Sequence, residues 1–238
     1  MNFLTGQVLV FDKPLGWTSF QLVGKVRWLL CRAIGQKKLK VGHAGTLDPL
    51  ATGVMIICTG RATKRIEELQ QGRKEYVATL QLGATTPSYD LEHEVDQTFP
   101  TEHITLETVK TVLQQFTGEI EQVPPIFSAC KVDGKRAYDL ARKGKEVELK
   151  AKRITIDELE LLRFDPETMQ MDIRVRCSKG TYIRSLARDI GAALDSGAHL
   201  TALRRTQVGD YNLDVAFSSL EAFEEWLSQQ TIETDMPQ

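Results

Sequence analysis

Long apolar runs are missing from this chain of 238 residues. No segment approaches the roughly 18 consecutive apolar residues that a membrane helix needs. The N-terminal residues 1–6 are too few and too polar for the hydrophobic region of a signal peptide. The sequence therefore predicts a cytoplasmic protein that neither spans a membrane nor is exported.

Cysteine and histidine are scarce, and neither type is clustered. The cysteines are Cys31, Cys58, Cys130 and Cys177, and the histidines are His43, His93, His103 and His199. No two cysteines form a Cys-x-x-Cys pair, and metal sites usually show closely spaced ligands. Disulfides are also uncommon in a reducing cytosol. We therefore expect no metal ion and no structural disulfide.

Motifs that hold nucleotide cofactors or catalytic serines are absent as well. The chain contains no Walker loop, no Gly-x-Gly-x-x-Gly fingerprint and no nucleophile elbow. Such motifs place backbone amides against phosphates or expose a nucleophile at a tight turn. Their absence gives no support to a nucleotide-cofactor enzyme, and we expect no cofactor.

Charge is nearly balanced overall, with a net charge of −2 and a pI of about 6.1, but it is unevenly distributed. Residues 25–40 contain six bases and no acid, residues 131–153 contain nine bases and four acids, and the tail from Ser219 contains five acids and no base. A low pI argues mildly against nucleic acid binding, whereas a basic face attracts phosphates. The same segments could equally be solvated helix faces, and composition leaves both interpretations open.

Hydrophobic periodicity predicts a mixture of strands and helices. Strands are expected at residues 7–11, 54–58, 75–82, 153–164, 169–177 and 206–213. Helices are expected at residues 18–30, 63–69, 106–116, 136–143, 181–195 and 220–227, and loops at 42–53 and 84–103. The order lacks regular βαβ alternation, which favours an α+β fold with a mostly antiparallel sheet. We expect a single domain over residues 1–238.

The loop at residues 42–53 carries the strongest candidate for chemistry, Asp48. Its glycines allow tight turns, and Pro49 disfavours helical geometry at the residue before it. A rigid loop would thus present one carboxylate, which could act as nucleophile, general base or metal ligand. The alternative is a loop aspartate in a simple Asx-turn.

Two further positions could contribute to such a site. At residues 179–184 a strand meets a helix, with Thr181 as the expected N-cap and with Tyr182 and Arg184 in the first turn. An arginine there opposes the helix dipole, so it makes sense if it pairs with a carboxylate elsewhere; otherwise it is a surface residue. Tyr76, at the start of an alternating strand, is either core or a platform for a base.

Between residues 123 and 153, basic residues are interleaved with aromatic ones. This mixture is typical of a surface that grips RNA, although a soluble basic hairpin would look the same. No motif in this segment decides between the two.

Taken together and in order, these segments resemble the TruB family of tRNA pseudouridine synthases. The resemblance extends over nearly the whole chain, and the segments that carry it are residues 12–19, 42–53, Tyr76, 124–125, 180–184 and 203–206. Each motif is short, but the ordered set is specific. The resemblance implies the pseudouridine synthase fold and the isomerisation of uridine 55 in the T arm of tRNA, without cofactor or metal.

The resemblance also assigns roles to single residues. Asp48 falls on the catalytic aspartate, and Arg184 on the arginine that helps to keep it ionised. Tyr76 falls on the tyrosine that stacks on the flipped uracil. Substrate-binding roles fall on His43, Lys64, Asp90, Tyr182 and Leu203, of which His43 would help to hold the T loop open. The implied partner is the T stem-loop of tRNA, and we expect a monomer.

The chain departs from many bacterial members because it ends at Gln238, before a C-terminal RNA-binding PUA domain. We therefore expect recognition to rest on the T arm. Two alternatives remain open: a binding module that folds tRNA without chemistry, and an enzyme that modifies another RNA. The main interpretation, a tRNA pseudouridine synthase, is also compatible with a second activity as a tRNA folding chaperone.

Overall fold

The computed structural model describes residues 1–128 and 149–233 and the backbone of two short strands between them. The chain divides into two compact units. The first comprises Met1–Tyr76 and Arg204–Gln238, and the second comprises Val77–Leu203.

The strands and helices are numbered in chain order. The strands are β1 (Val8–Lys13), β2 (Val41–His43), β3 (Ala51–Thr59), β4 (Lys74–Leu82), β5 (Ala84–Thr85), β6 (Gln97–Thr98), β7 (Gly118–Gln122), β8 (Lys131–Val132), β9 (Lys135–Arg136), β10 (Lys152–Asp165), β11 (Gln170–Cys177), β12 (Ala198–Val208) and β13 (Tyr211–Asn212). The α-helices are α1 (Ser19–Ala33), α2 (Ile66–Leu69), α3 (Leu106–Gln114), α4 (Ile183–Ala193) and α5 (Leu220–Ser228). Two 3₁₀ helices span Gly60–Arg65 and Leu213–Val215.

The first unit is built on β1, β3 and the end of β12, in that order. β1 and β3 are antiparallel, with Lys13 opposite Gly53, and β2 pairs with the other end of β3. The helix α1 covers this sheet with an apolar face because its leucines and valines recur at helical spacing. Phe11 and Phe223 complete the core, so both ends of the unit's sequence meet there.

In the second unit the strand order is β12, β4, β11, β10 and β7. β10 and β11 form a long antiparallel hairpin, and β7 pairs with the start of β10. Side chains of β4 alternate strictly between buried and partly exposed, as expected of a strand with one face in the core. The helix α3 packs against β10 and α4.

These pairings confirm the predicted α+β class with a mostly antiparallel sheet. The strands predicted at 75–82, 153–164 and 169–177 are present as β4, β10 and β11, and the helix predicted at 18–30 is present as α1, which begins with a capping box at Thr18. Within the described residues, no helix is both long enough and apolar enough to cross a membrane.

Several local predictions were wrong. Residues 42–43 and 51–53 lie in strands β2 and β3 instead of a loop, and the strand predicted from 206 begins at Ala198. Thr181 does not cap α4, since its hydroxyl donates to the carbonyl of Ser178 and Tyr182 occupies the N-cap position. Residues 63–69 split into a 3₁₀ helix and the short α2. Most of the helix predicted at 136–143 lies outside the described residues.

Candidate functional site

The loop that carries Asp48 connects β2 to β3 and is held by buried side chains in the first unit. Ser19, at the start of α1, bonds Leu47 twice: its hydroxyl accepts from the Leu47 amide at 2.9 Å and donates to the Leu47 carbonyl at 3.0 Å. The carbonyl of Asp48 accepts from the amide of Ala51 at 3.0 Å. The backbone on both sides of Asp48 is thereby fixed, which limits the positions that its carboxylate can take.

Arg205, on β12, holds the first half of the same loop. Only 1% of this residue's surface is exposed. Its Nη2 donates to the carbonyl of Gly45 at 3.2 Å, its Nη1 to that of Thr46 at 3.3 Å, and its Nε to that of Val54 at 2.8 Å. One planar guanidinium thus bonds three carbonyls, which rigidifies the loop relative to β3 and β12.

Lys13, the last residue of β1, holds the second half of the loop. Its ammonium donates to the carbonyls of Trp17 at 2.6 Å, Pro14 at 3.0 Å and Pro49 at 3.4 Å. Burial lowers the pKa of Lys13 from 10.5 to about 8, opposed by the negative charges of Asp48 and Asp12 and reinforced by Arg205. Asp48 is therefore close enough to Lys13 to stabilise its charge, and the loop lies between two cations.

His43 ends β2 just before this loop and is half-buried. Its Nδ1 is shielded from solvent and finds no hydrogen-bond partner among the described residues. Burial lowers the pKa of His43, with Arg205 acting in the same direction and the Gly45 backbone opposing it. The imidazole is therefore neutral at physiological pH, with a nitrogen that could bond a ligand after a small movement.

Two further predicted residues lie in the first unit. Tyr76 is on β4 and is 8% exposed. Next to it, the carboxylate of Glu75 accepts a hydrogen bond from the hydroxyl of Thr206 at 2.8 Å, which ties this strand to β12. Lys64 is exposed on the 3₁₀ helix Gly60–Arg65.

In the second unit, Arg184 is 5% exposed, and its contacts include oxygen atoms of Phe127, Ser88 and Asp90. Its Nη2 donates to the carbonyl of Phe127 at 2.8 Å, its Nη1 donates to that of Ser88 at 3.2 Å, and its Nε lies 3.7 Å from the carboxylate of Asp90. A guanidinium buried in the first turn of a helix needs such acceptors, because the helix dipole there disfavours a cation.

Asp90, the carboxylate partner of Arg184, is itself fixed. One of its oxygens accepts from the hydroxyl of Ser88 at 2.6 Å and from the amide of Glu92 at 3.0 Å. Its carbonyl accepts from the hydroxyl of Thr86 at 2.6 Å. The orientation of the Arg184 guanidinium is thus set by a buried carboxylate with little freedom of its own.

Tyr182 and Leu203 are the other predicted residues of the second unit, and both are partly exposed. The amide side chain of the buried Gln122 accepts from the Tyr182 amide at 2.9 Å and donates to its carbonyl at 3.1 Å. Gln122 therefore supplies the N-terminal anchor of α4 that Thr181 was expected to provide.

The structure thus places His43, Asp48, Lys64 and Tyr76 in the first unit and Asp90, Tyr182, Arg184 and Leu203 in the second. No role was predicted for Ser19, Lys13, Gln122 or Arg205. Lys13, Ser19 and Arg205 lie inside the motifs quoted above, but burial of a cation or a hydroxyl leaves no mark in a sequence. The part of the chain that the structure describes contains no group of three or more histidine, cysteine or acidic side chains that could hold a metal ion.

Comparison with family sequence profiles gives two matches that together cover most of the chain. Residues 32–183 match "TruB family pseudouridylate synthase (N terminal domain)", and residues 184–236 match "tRNA pseudouridylate synthase B C-terminal domain".

Curated relatives match over most of this chain. The chain is 70% identical to the "tRNA pseudouridine synthase B" of Phocaeicola vulgatus over 234 residues, which is 98% of each chain. It is 69% identical to the protein of the same name from Bacteroides thetaiotaomicron, over 99% of this chain and 98% of the relative. The Mycobacterium bovis protein of that name is 49% identical, over 89% of this chain and 70% of the relative.

Among solved structures, the chain is similar to one titled "Crystal Structure of a Cbf5-Nop10-Gar1 Complex", with a TM-score of 0.65 and 29% identity. The match covers 89% of this chain and 51% of that chain. A second structure, titled "Structure of H/ACA RNP bound to a substrate RNA containing 2'-deoxyuridine", gives a TM-score of 0.62 and 27% identity and covers half of its chain.

Proposed function

Because the chain belongs to the TruB family of pseudouridylate synthases, we propose that it isomerises uridine 55 in the T arm of tRNA to pseudouridine. The observation that carries this proposal is a single carboxylate, Asp48, on a loop held by Ser19, Lys13 and Arg205 in a chain of this family. A carboxylate in a preorganised loop is what covalent catalysis requires of its nucleophile.

The proposed reaction conserves every atom of the uridine. The bond from N1 of uracil to C1′ of ribose breaks, a bond from C5 to C1′ forms, the C5 proton leaves and N1 gains a proton. No electrons are gained or lost overall, so the reaction requires no redox cofactor. We assign Asp48 the nucleophilic role; attack on the ribose and attack on the base are both consistent with its position in the loop.

The other roles follow the family resemblance. Tyr76 would stack on the extruded uracil and accept the proton from C5. Arg184 would favour the ionised form of Asp48, with Asp90 orienting its guanidinium at 3.7 Å. Tyr182 and Leu203 would line the pocket for the base.

RNA recognition is the remaining part of the proposal. The target uridine lies within a folded loop, so it must be flipped out, at a cost of a few kcal/mol. His43 would help to hold the opened loop, since its Nδ1, which has no hydrogen-bond partner in the part of the chain that the structure describes, could bond RNA. Lys64 would contact phosphate, and phosphate contacts in general offset the cost of flipping. We expect one protein monomer to bind one T stem-loop.

The test is Asp48→Asn, assayed by tritium release from a T-arm hairpin with uridine labelled at C5. Asparagine keeps the shape of the side chain and removes its nucleophilic charge, so we expect release to fall by roughly 10⁴-fold or more. Asp210→Asn, an exposed aspartate between β12 and β13, is the matched control and should release tritium at the wild-type rate.

RNA binding by the same two variants separates the rival functions. We expect Asp48→Asn to bind the hairpin as tightly as wild type. Equal tritium release from wild type and Asp48→Asn would remove Asp48 from the mechanism. Binding without release by the wild type would favour a module that folds tRNA, and pseudouridine mapping across cellular RNA in a deletion strain would reveal a different target.

A further inference from the structure

The exposed side of α1 and the turn that follows it carry cations that the proposed catalytic site does not use. Five of them are exposed: Arg27, Arg32, Lys37, Lys38 and Lys40. No acidic residue occurs between Asp12 and Asp48, so the sequence offers these cations no nearby counter-charge.

Several exposed arginines elsewhere in the protein are paired with carboxylates. On the β10–β11 hairpin, Arg163 lies 2.8 Å from Asp172, Arg174 lies 2.7 Å from Glu160, and Arg176 lies 3.5 Å from Glu158. The five cations of α1 and its following turn have no carboxylate oxygen within 4.0 Å among the described residues. A set of unpaired cations on a protein of net charge −2 produces a local positive potential that attracts an anionic partner.

An exposed tryptophan organises part of this surface. Trp28 is 52% exposed, with the Lys25 ammonium 4.8 Å and the Arg32 guanidinium 5.6 Å from its ring centroid. Stacking on the ring restrains two long side chains and reduces the entropy that they would lose on binding phosphate. Lys25 also lies 3.6 Å from Glu224, so it is partly neutralised and contributes less than the others.

The helix that carries part of this surface starts beside the loop of Asp48 and leads away from it. Ser19, the first residue of α1, bonds Leu47 beside Asp48. The helix has 15 residues, so it extends about 22 Å at 1.5 Å per residue. An RNA stem that leaves a nucleotide bound at Asp48 could therefore run along this helix over several phosphates.

We propose that the α1 surface, defined as Lys25, Arg27, Trp28, Arg32, Lys37, Lys38 and Lys40, binds the phosphate backbone of the RNA stem attached to the target nucleotide. This proposal rests on the proposed function, because it takes the RNA at Asp48 as its starting point. Phosphate is favoured over an apolar protein partner because unpaired cations, rather than a continuous apolar area, dominate the surface. An acidic protein segment is the competing partner.

The experiment compares two double variants that remove the same charges. Arg32→Gln/Lys37→Gln neutralises one arginine and one lysine of the α1 surface. Arg163→Gln/Lys110→Gln neutralises one arginine and one lysine that are exposed in the second unit. Both variants and wild type are titrated with short-stem and long-stem T-arm hairpins from about 50 to 200 mM salt.

We expect the α1 variant to bind the long-stem hairpin more weakly than wild type at low salt. The slope of log affinity against log salt should become shallower by about 0.9 for each phosphate that the variant no longer neutralises. Affinity for the short-stem hairpin, and tritium release at saturating RNA, should change by less than twofold. The second-unit variant should match wild type in all of these measurements.

An unchanged salt slope for the α1 variant would overturn the proposal, and so would an equal change with both hairpins or with both variants. If the salt slope is unchanged, binding of an acidic peptide to the α1 surface would be measured instead. Urea unfolding midpoints of the variants serve as the check on folding, and Arg32→Lys should keep the slope. If the proposed function were wrong, wild type would release no tritium from either hairpin, while the binding comparison would still decide the role of α1.

Discussion

Two buried cations, Arg205 and Lys13, flank the loop of Asp48. They differ in chemistry, because guanidinium groups stay protonated in proteins whereas a buried ammonium can lose its proton. Burial lowers the pKa of Lys13 to about 8, so its charge is lost within an accessible range. The two halves of the loop should therefore respond differently to alkaline pH.

We predict that turnover falls as the pH rises through about 8. The Lys13 ammonium has three donors for the carbonyls of Pro14, Trp17 and Pro49, whereas a neutral amine has two donors and a lone pair that faces a carbonyl. The second half of the loop should loosen and Asp48 should be less well positioned. The measurement is tritium release at saturating RNA from pH 6.5 to 9.5, in wild type and in Lys13→Arg, which stays charged.

Stability should change in the opposite direction over this range. The pKa of Lys13 is about 8 in the folded protein and 10.5 as a free side chain, so between these values the unfolded chain binds more protons. The contribution of Lys13 to the free energy of unfolding therefore rises with pH from about 8 to 10.5. A decline in turnover that followed a decline in folded protein, or an equal decline in Lys13→Arg, would contradict the role of Lys13 in the loop.

At the scale of secondary structure elements, β3 and β12 lie so close together at Gly53 that no side chain fits between them. Gly53 has a φ of +107°, and a Cβ built on it would lie 2.1 Å from the carbonyl oxygen of Arg205. The strands can lie this close only because position 53 has no side chain. The guanidinium of Arg205 reaches Gly45 and Thr46 from this same strand, so the separation of β3 and β12 sets the position of the loop.

We predict that Gly53→Ala lowers the free energy of unfolding by several times as much as Gly16→Ala. Gly16 also has a positive φ, +80°, but a Cβ there would meet nothing within 4 Å, so alanine costs only the backbone strain of roughly 1 kcal/mol. Urea denaturation of both variants measures the difference. Equal decreases would show that β12 moves aside at little cost.

Periodicity sufficed to predict those elements whose side chains alternate or repeat regularly, such as β4, β10 and α1. It failed for β12, because Ala198, His199 and Leu200 are all buried in succession and show no alternation. The buried His199 is tolerated there through its contact with the carbonyl of Ala84 at 2.9 Å. β2 was missed because it has three residues, too few for any period to be visible.

The motif residues of the candidate site could be proposed from the sequence, but the residues that hold them in place could not. Asp48 stood out because glycines and Pro49 surround it, and the ordered motifs led to Arg184 and Tyr76. The pairing of Arg184 with Asp90, and the carbonyl contacts of Lys13 and Arg205, depend on which distant segments meet in the fold. Single-sequence patterns carry no information on such long-range contacts.

At the scale of the whole molecule, charge is organised more strongly than the net value of −2 suggests. The basic run at residues 25–40 was visible in the sequence, but composition could not tell a solvated helix from a binding surface. The difference lies in pairing: arginines of the β10–β11 hairpin face carboxylates on the neighbouring strand, whereas Arg27 and Arg32 have no such partner among the described residues.

The first unit is assembled from two distant parts of the chain, and its core depends on both. Phe223, on α5, is fully buried and packs against Phe11 of β1 and Phe217, with ring centroids 5.0 Å apart in each case. The core of the unit that carries Asp48 is therefore completed only when residues near the C-terminus fold onto β1.

We predict that Phe223→Ala lowers the free energy of unfolding by about 3–5 kcal/mol, the usual cost of removing a buried phenyl ring. Phe20→Ala is the control, because Phe20 is 76% exposed and its removal should change stability by no more than about 0.5 kcal/mol. Urea denaturation followed by tryptophan fluorescence measures both, since Trp226 lies 5.8 Å from the ring of Phe223. A decrease below about 1 kcal/mol for Phe223→Ala would mean that α5 is dispensable and that residues 1–76 form most of the core without it.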